Sequence, residues 1–217
     1  MKFNKKHFLV LVVAILFFNG CSKFSNTTLK KEVVKDEKIQ ESLDSFFTYF
    51  SEANIKDFEE NELTEEEMIN FSVYYNFIHA FDKFTVIKER CCALIESKYV
   101  KESESYFFGK QASRHESTSK YELLDNKYKV FLANKGELTI SKTDKLYDLG
   151  NGEYLAELSI YNVNGFEEDL KSIFEELKKG DNKFIKLKGK KIAKIKKINE
   201  NGNERFILLS YETDKDK

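Results

Sequence analysis

Beyond the first twenty residues, the side chains whose types could do chemistry are His79, His115, the run Ser117-Thr118-Ser119-Lys120, and the adjacent pair Cys91-Cys92. His115-Glu116 opens like a zinc-binding helix, but the second histidine four residues after the first is missing, so two imidazoles cannot share a helical face. The Ser-Thr-Ser-Lys run sets a lysine three residues after a serine, the spacing that in a helix places an amine one turn from a nucleophilic hydroxyl. No companion motif accompanies it and no apolar helix start flanks it, so the match reads as chance. His79 falls beside the apolar arc of a predicted helix, where a satisfied boundary histidine is expected. His115 lies in the polar Ser113-Arg114-His115-Glu116 and reads as part of a solvated loop. Cys91 and Cys92 are two small hydrophobic thiols or, in an oxidising compartment, a strained and reducible vicinal disulfide. They have no second cysteine pair or nearby histidine to make a zinc site. Asp148 to Glu153 and Asn199 to Glu204 carry fragments of a calcium loop without its full set of oxygen ligands, and read as hairpin turns first. No catalytic residue, metal site or cofactor is therefore expected.

Charge is distributed unevenly. Residues 41 to 70 hold ten acidic groups against the single Lys56, whereas residues 183 to 197 hold eight lysines and no acid, although the net charge is only −1. Lys186, Lys188, Lys190, Lys194 and Lys196 form a candidate patch for an anionic surface such as lipid headgroups or wall polymers. The plainer reading is an edge strand whose lysines block edge-to-edge pairing and face solvent. Nucleic acid is not an expected partner, because no phosphate-cradling glycine loop is present.

The elements that must position these residues follow from periodicity. Leu43, Phe46, Phe47 and Phe50 recur at helical spacing. Thr64 and Glu67 read as a capping box, with Leu63 placed to staple onto Met68, so a helix begins there. Met68, Phe71, Tyr75 and Ile78 form one stripe and Ile69, Val73, Phe77, Ala80 and Phe84 its neighbour, so this helix is largely buried. A break is required between Phe84 and Ser97, a stretch that contains the cysteines; Ser97 is expected to cap a third helix, and Gly109 to end it. From Lys120 onward the period changes to two. Tyr128, Val130 and Leu132 alternate with Lys129, Phe131 and Ala133, and a turn is expected at Asn134 to Gly136. Gly150-Asn151-Gly152 and Asn201-Gly202 mark hairpins, between which Phe166 to Leu177 forms an amphipathic helix closed by Gly180. The expected fold is α+β: N-terminal helices packed on one face of a C-terminal antiparallel meander sheet with one inserted helix. The chain has no Pro and no Trp, so its turns must come from Gly, Asn, Asp and Ser.

The N-terminus carries a different kind of information. Lys2, Lys5 and Lys6 precede the apolar run Phe8 to Phe18, and Asn19-Gly20-Cys21 follows. A bilayer-spanning helix needs about 20 apolar residues, so this run is too short to span and has the proportions of a secretory signal. Phe18-Asn19-Gly20-Cys21 resembles the lipobox of bacterial lipoprotein signal peptides. The resemblance makes Gly20 the residue before cleavage and Cys21 the lipidated N-terminus, while Phe18 and Asn19 depart from the usual aliphatic and small residues. It implies a membrane as partner through an N-terminal lipid such as palmitate, and a location in the bacterial cell envelope, outside the cytoplasm. In a Gram-negative envelope that sorts on the next position, Ser22 implies the outer membrane.

The expected organisation is a signal peptide at 1–20, the lipidated cysteine with a flexible polar tether at 21–39, one α+β domain at 40–213, and a polar tail at 214–217. With no recognised catalytic set, the expected function is a non-enzymatic binding or assembly module of the envelope, with a protein or anionic envelope component as partner. The rivals are an envelope hydrolase, which needs a pocket with converging polar groups near the histidines or Ser117. A carrier of hydrophobic ligands instead needs an open cavity between sheet and helices lined by Phe.

Overall fold

A computed structural model describes residues 31–132, 138–164, 170–179 and 183–215. The fold is α+β. Helices α1 (Glu37–Glu52), α2 (Glu65–His79), α3 (Ser97–Phe108) and α4 (Leu170–Lys179) accompany two antiparallel sheets. The larger sheet has the order β1-β6-β7-β8-β9, made of Lys31–Glu32, Leu138–Gly150, Glu153–Val163, Ile185–Glu200 and Asn203–Thr213. The smaller has the order β2-β3-β5-β4, made of Thr85–Ile87, Cys92–Glu96, Lys127–Phe131 and Glu122–Leu124.

Local chemistry sets the boundaries. The Asp36 side chain accepts from the Ile39 amide at 2.7 Å and Thr64 from the Glu67 amide at 3.2 Å, satisfying otherwise orphaned donors. The Glu67 carboxylate does not close the expected box; it pairs with Lys56 at 2.7 Å. Gly109 ends α3 at φ +66°, and a Cβ there would sit 2.9 Å from the Ile207 side chain. In a chain without proline, Asn151 and Asn201 take positive φ in the two long hairpins, as those tight turns require. The break between α2 and α3 is present, but it is itself structured: β2 and β3 start a second sheet that β4 and β5 complete. Ser97 is the first residue of α3 rather than its cap, and its hydroxyl contacts Asn126 Oδ1 at 2.5 Å.

The expected tether from 21 to 39 is corrected from Lys31 onward. Lys31 and Glu32 pair with Asp148 and Tyr147, and the Val33 amide donates to Leu146 O at 2.8 Å. Lys35 Nζ donates to Thr143 O at 2.6 Å and to Asp144 O at 2.9 Å. These partners lie more than a hundred residues away in sequence, so local polarity gave no sign of them. Gly20, Cys21, the turn at Asn134 to Gly136, Phe166 and Gly180 lie outside the described residues.

Helix α1 joins the sheet in an unusual way. Gln40, Asp44, Thr48 and Ser51 recur at about one helical turn, roughly 6 Å apart for a four-residue step. Alternate residues of a strand are spaced by nearly the same distance, roughly 6.8 Å. The two repeats mesh along the outer edge of β6. Thr143 N donates to Asp44 Oδ1 at 2.6 Å, Ser141 N to Thr48 Oγ1 at 3.0 Å, and Gln40 Nε2 to Thr143 O at 2.9 Å. Ser51 Oγ donates to Thr139 O at 3.3 Å. Side chains of a helix thus take the place of a missing strand and leave that stretch of edge paired. Burial raises the Asp44 carboxyl above its ordinary pKa, against the opposing effect of the bonds from Gln40 and Thr143.

The adjacent face of α1 carries Leu43, Phe46, Phe47 and Phe50 into the main core. There they meet Phe71 of α2, Phe107 and Phe108 of α3, and Ala156, Leu158, Ile195 and Leu208 of the sheet. Phe50 stacks on Phe71 with centroids 4.6 Å apart. The inserted helix α4 lies on the opposite face. Its Ile173 packs with Ile140, Val163 and Ile185, which alternate out of phase with Ser141 and Ile160.

Candidate functional site

Where α1 crosses the ends of the long strands, its aromatic face is left partly uncovered and a cleft of about 540 Å³ opens. Its floor is aromatic because the same helical stripe that builds the core continues to the rim. Phe46 and Tyr49 come from α1, Tyr106 and Phe107 from the end of α3, Tyr154 from β7 and Phe206 from β9. The rings interlock: Phe46 lies 6.1 Å from Phe107 and 6.3 Å from Phe206, and Tyr154 meets Phe206 edge-on at 6.1 Å. Val33, in the segment that leads into α1, forms part of the wall. Burial, with smaller contributions from Glu52 and Tyr106, raises the Tyr49 hydroxyl above its ordinary pKa, so it stays protonated at neutral pH.

The rim is polar and fixed in place. Arg205 donates to the Ser105 carbonyl at 3.2 Å and to that of Tyr106, and it lies over the Tyr106 ring at 5.1 Å. The guanidinium thus binds the last carbonyls of α3, sharing that of Ser105 with the Gly109 amide, which donates to it at 3.0 Å. Glu200 pairs with the same guanidinium at 2.8 Å, and Lys197 pairs with Glu204 at 2.6 Å. Lys38, in the first turn of α1, lines the cleft and forms no ion pair among the described residues. The volume falls within the range of roughly 300–1,000 Å³ typical of small-molecule sites, and the mix of apolar walls with a few polar groups is typical as well.

The candidates from sequence lie elsewhere. His79 is the boundary residue it was expected to be: Nε2 meets Glu52 at 2.7 Å, and the ring packs on Tyr49 at 4.7 Å. His115 is not solvated. Its side chain is 5% exposed, with Nε2 3.3 Å from Glu104 Oε2 and Nδ1 3.1 Å from the Tyr128 hydroxyl. The Tyr128 hydroxyl donates to the Glu116 carbonyl at 3.2 Å. Glu104 also accepts from the Ala112 amide at 3.1 Å, and its second oxygen is buried without a hydrogen-bond partner among the described residues. Burial, reinforced by Glu104 and Glu116, pushes the Tyr128 hydroxyl well above its ordinary pKa. None of these three residues lines the cleft.

The loop carrying His115 is tied down by the N-terminal acids of α2. Ser113 donates to Glu65 from both its amide and its hydroxyl at 3.0 Å, and the Ser119 amide donates to Glu66 at 2.9 Å. Ser117 Oγ accepts from the Leu123 amide at 2.9 Å, and the Ser-Thr-Ser-Lys run is not helical, so it does not set the lysine one helical turn from the serine. The calcium-loop fragments are hairpin turns too: Asp148 accepts from Gly150 N at 2.7 Å and Asn199 from Gly202 N at 3.0 Å. Cys91 and Cys92 are free thiols, the first exposed at φ +46° and the second buried in β3. No group of three or more His, Cys, Asp or Glu among the described residues is placed to hold a metal ion.

β8 is an edge only in its first part: from Lys191 to Glu200 it runs between β7 and β9, whereas residues 185–190 pair with β7 alone among the described strands. Its charges meet the acids that the sequence separates from them. Lys191 pairs with Asp57, Lys194 with Glu60 at 2.9 Å and Glu153 at 2.7 Å, and Lys196 with Glu153 at 3.6 Å. Lys186, Lys188 and Lys190 form no ion pair among the described residues. The cleft itself was missed. Phe46 and Phe107 were legible as apolar positions, but Tyr154, Arg205 and Phe206 join them only through strand pairing. No helix of the described residues is long and apolar enough to cross a membrane. No family model, no curated protein and no solved structure matches the chain.

Proposed function

We propose that the chain is an exported lipoprotein, anchored to a bacterial membrane through Cys21, and that its α+β domain is a non-enzymatic binding module. The domain holds the apolar part of a ligand in the aromatic cleft. The observation that carries this reading is the open, phenylalanine-lined cavity between α1 and the sheet, the feature required of a hydrophobic-ligand binder. A hydrolase reading gains less support. Glu104, His115 and Tyr128 bond to one another and to the backbone, away from the cleft, in the manner of a packing lock.

The test is a titration with the neutral fluorophore N-phenyl-1-naphthylamine, alongside the variant Ser45→Trp. Ser45 lines the cleft on α1, so an indole there fills the space without removing core atoms. Saturable enhancement in the parent and its loss in the variant are expected; absence of binding, or binding that survives the indole, overturns the cleft. The anchor is tested separately by Cys21→Ala, which should abolish incorporation of labelled palmitate. Continued labelling overturns the lipoprotein reading.

A further inference from the structure

We infer that the ligand of the aromatic cleft is an anionic amphiphile: an apolar or aromatic body on the ring-lined floor and a single negative group at the α1 end. This rests on the cleft being a binding site, and it adds the charge of the occupant. The charged side chains that line the cleft are Lys38, Lys197, Arg205 and Glu204. Glu204 is matched by Lys197 at 2.6 Å, and Arg205 is matched from outside the lining by Glu200 at 2.8 Å. Lys38 is the charge left over.

The acids nearest to Lys38 in sequence form no ion pair with it among the described residues. Glu37 approaches Lys178 of α4 at 4.0 Å, Glu41 acts on the same lysine, and neither lines the cleft. The Asp36 side chain is engaged by the Ile39 amide at 2.7 Å. Lys38 also stands at the N-terminal turn of a 16-residue helix, where the aligned peptide dipoles add positive potential. The hydroxyls of Ser42 and Ser45 follow it along the cleft, about one and two turns further down α1. A carboxylate or sulfonate can therefore pair with Lys38 and bond to these hydroxyls while its apolar part lies toward Phe46 and Phe206. The concave shape favours a single free amphiphile over the flat surface of a bilayer.

Two dyes with the same anilinonaphthalene skeleton separate charge from shape: anionic 1-anilinonaphthalene-8-sulfonate and neutral N-phenyl-1-naphthylamine. The sulfonate is expected to bind about tenfold more tightly at low salt, and Lys38→Glu should erase that advantage while leaving the neutral dye unchanged. Glu204→Gln, which releases Lys197, should raise affinity for the sulfonate. Laurate as a free monomer should displace the bound sulfonate. Equal binding of the two dyes, or displacement by phosphatidylglycerol vesicles but not by laurate, overturns the inference. If neither dye binds, the cleft reading fails with it, which distinguishes the two failures.

Discussion

Replacing Thr48 by valine should cost more than replacing it by serine, against the rule that a buried β-branched residue is valued for its methyls. Thr48 is fully buried; its hydroxyl accepts from the Ser141 amide at 3.0 Å and donates to the Ser141 carbonyl at 3.4 Å. Valine has nearly the same volume, so no cavity opens, but an amide and a carbonyl of β6 lose their partner away from water. A buried backbone group left unsatisfied costs about 1–3 kcal/mol. Serine keeps the oxygen and loses one methyl, worth about 0.8 kcal/mol by the usual burial scale. For a domain of this size each kcal/mol corresponds to about 2–4 °C in melting temperature. Thr48→Val should therefore melt roughly 2–12 °C below the parent and below Thr48→Ser. Urea denaturation followed by far-ultraviolet circular dichroism, with thermal melts beside it, measures the order. If valine matches the parent or exceeds serine in stability, α1 does not stand in for a strand, and its polar stripe is only tolerated.

Other outcomes follow from the same geometry. Tyr128→Phe removes the hydroxyl contacts to His115 Nδ1 and the Glu116 carbonyl, and should lower stability in urea by about 1–3 kcal/mol; no change would mean that this network does not hold the loop. Glu65 and Glu66 are held below their ordinary pKa of 4.5 by bonds from Ser113 and Ser119. Their contribution is therefore present above pH 4.5 and lost as pH falls through the lower folded values, so exchange protection at the Ser113 and Ser119 amides should drop there while the α1 core stays protected. Native thiol labelling should modify the exposed Cys91 and spare Cys92 until the chain unfolds; a native mass matching an oxidised pair would refute the free-thiol geometry.

Periodicity carried much of the architecture. The apolar repeats of α1 and α2, the cap at Thr64, the stop at Gly109 and both glycine-asparagine hairpins were legible because each depends on residues within one or two turns of chain. The strands β2 and β3 were not, since three to five residues leave too little alternation to distinguish a strand from an interrupted helix. Nothing in the sequence singled out Asp44, Thr48 and Ser51 beside the apolar stripe of α1. Hydropathy records that a stripe is polar but not that a strand edge is waiting for it. His115 was misread for a similar reason: a polar tetrapeptide usually marks a solvated loop, but here Glu104 and Tyr128 close over it from α3 and β5. The lysine run of β8 suggested an edge; that holds for residues 185–190, while from Lys191 onward β9 pairs outside it and the compensating acids come from the loop after α1 and from β7.

The meshing of α1 with β6 also bears on when the chain can fold. Thr48 and the strand residue it satisfies are 93 positions apart, so during synthesis the helix emerges long before its partner exists. Until then its carboxylate and hydroxyls are best left in water, and docking the Phe46, Phe47 and Phe50 face early would strand them. Contacts of such separation carry a large loop-closure cost and slow folding. The N-terminal half is thus a poor candidate for an autonomous folding unit. Cooperativity is written into the first helix: its polar stripe finds partners only when residues 139–143 come within reach.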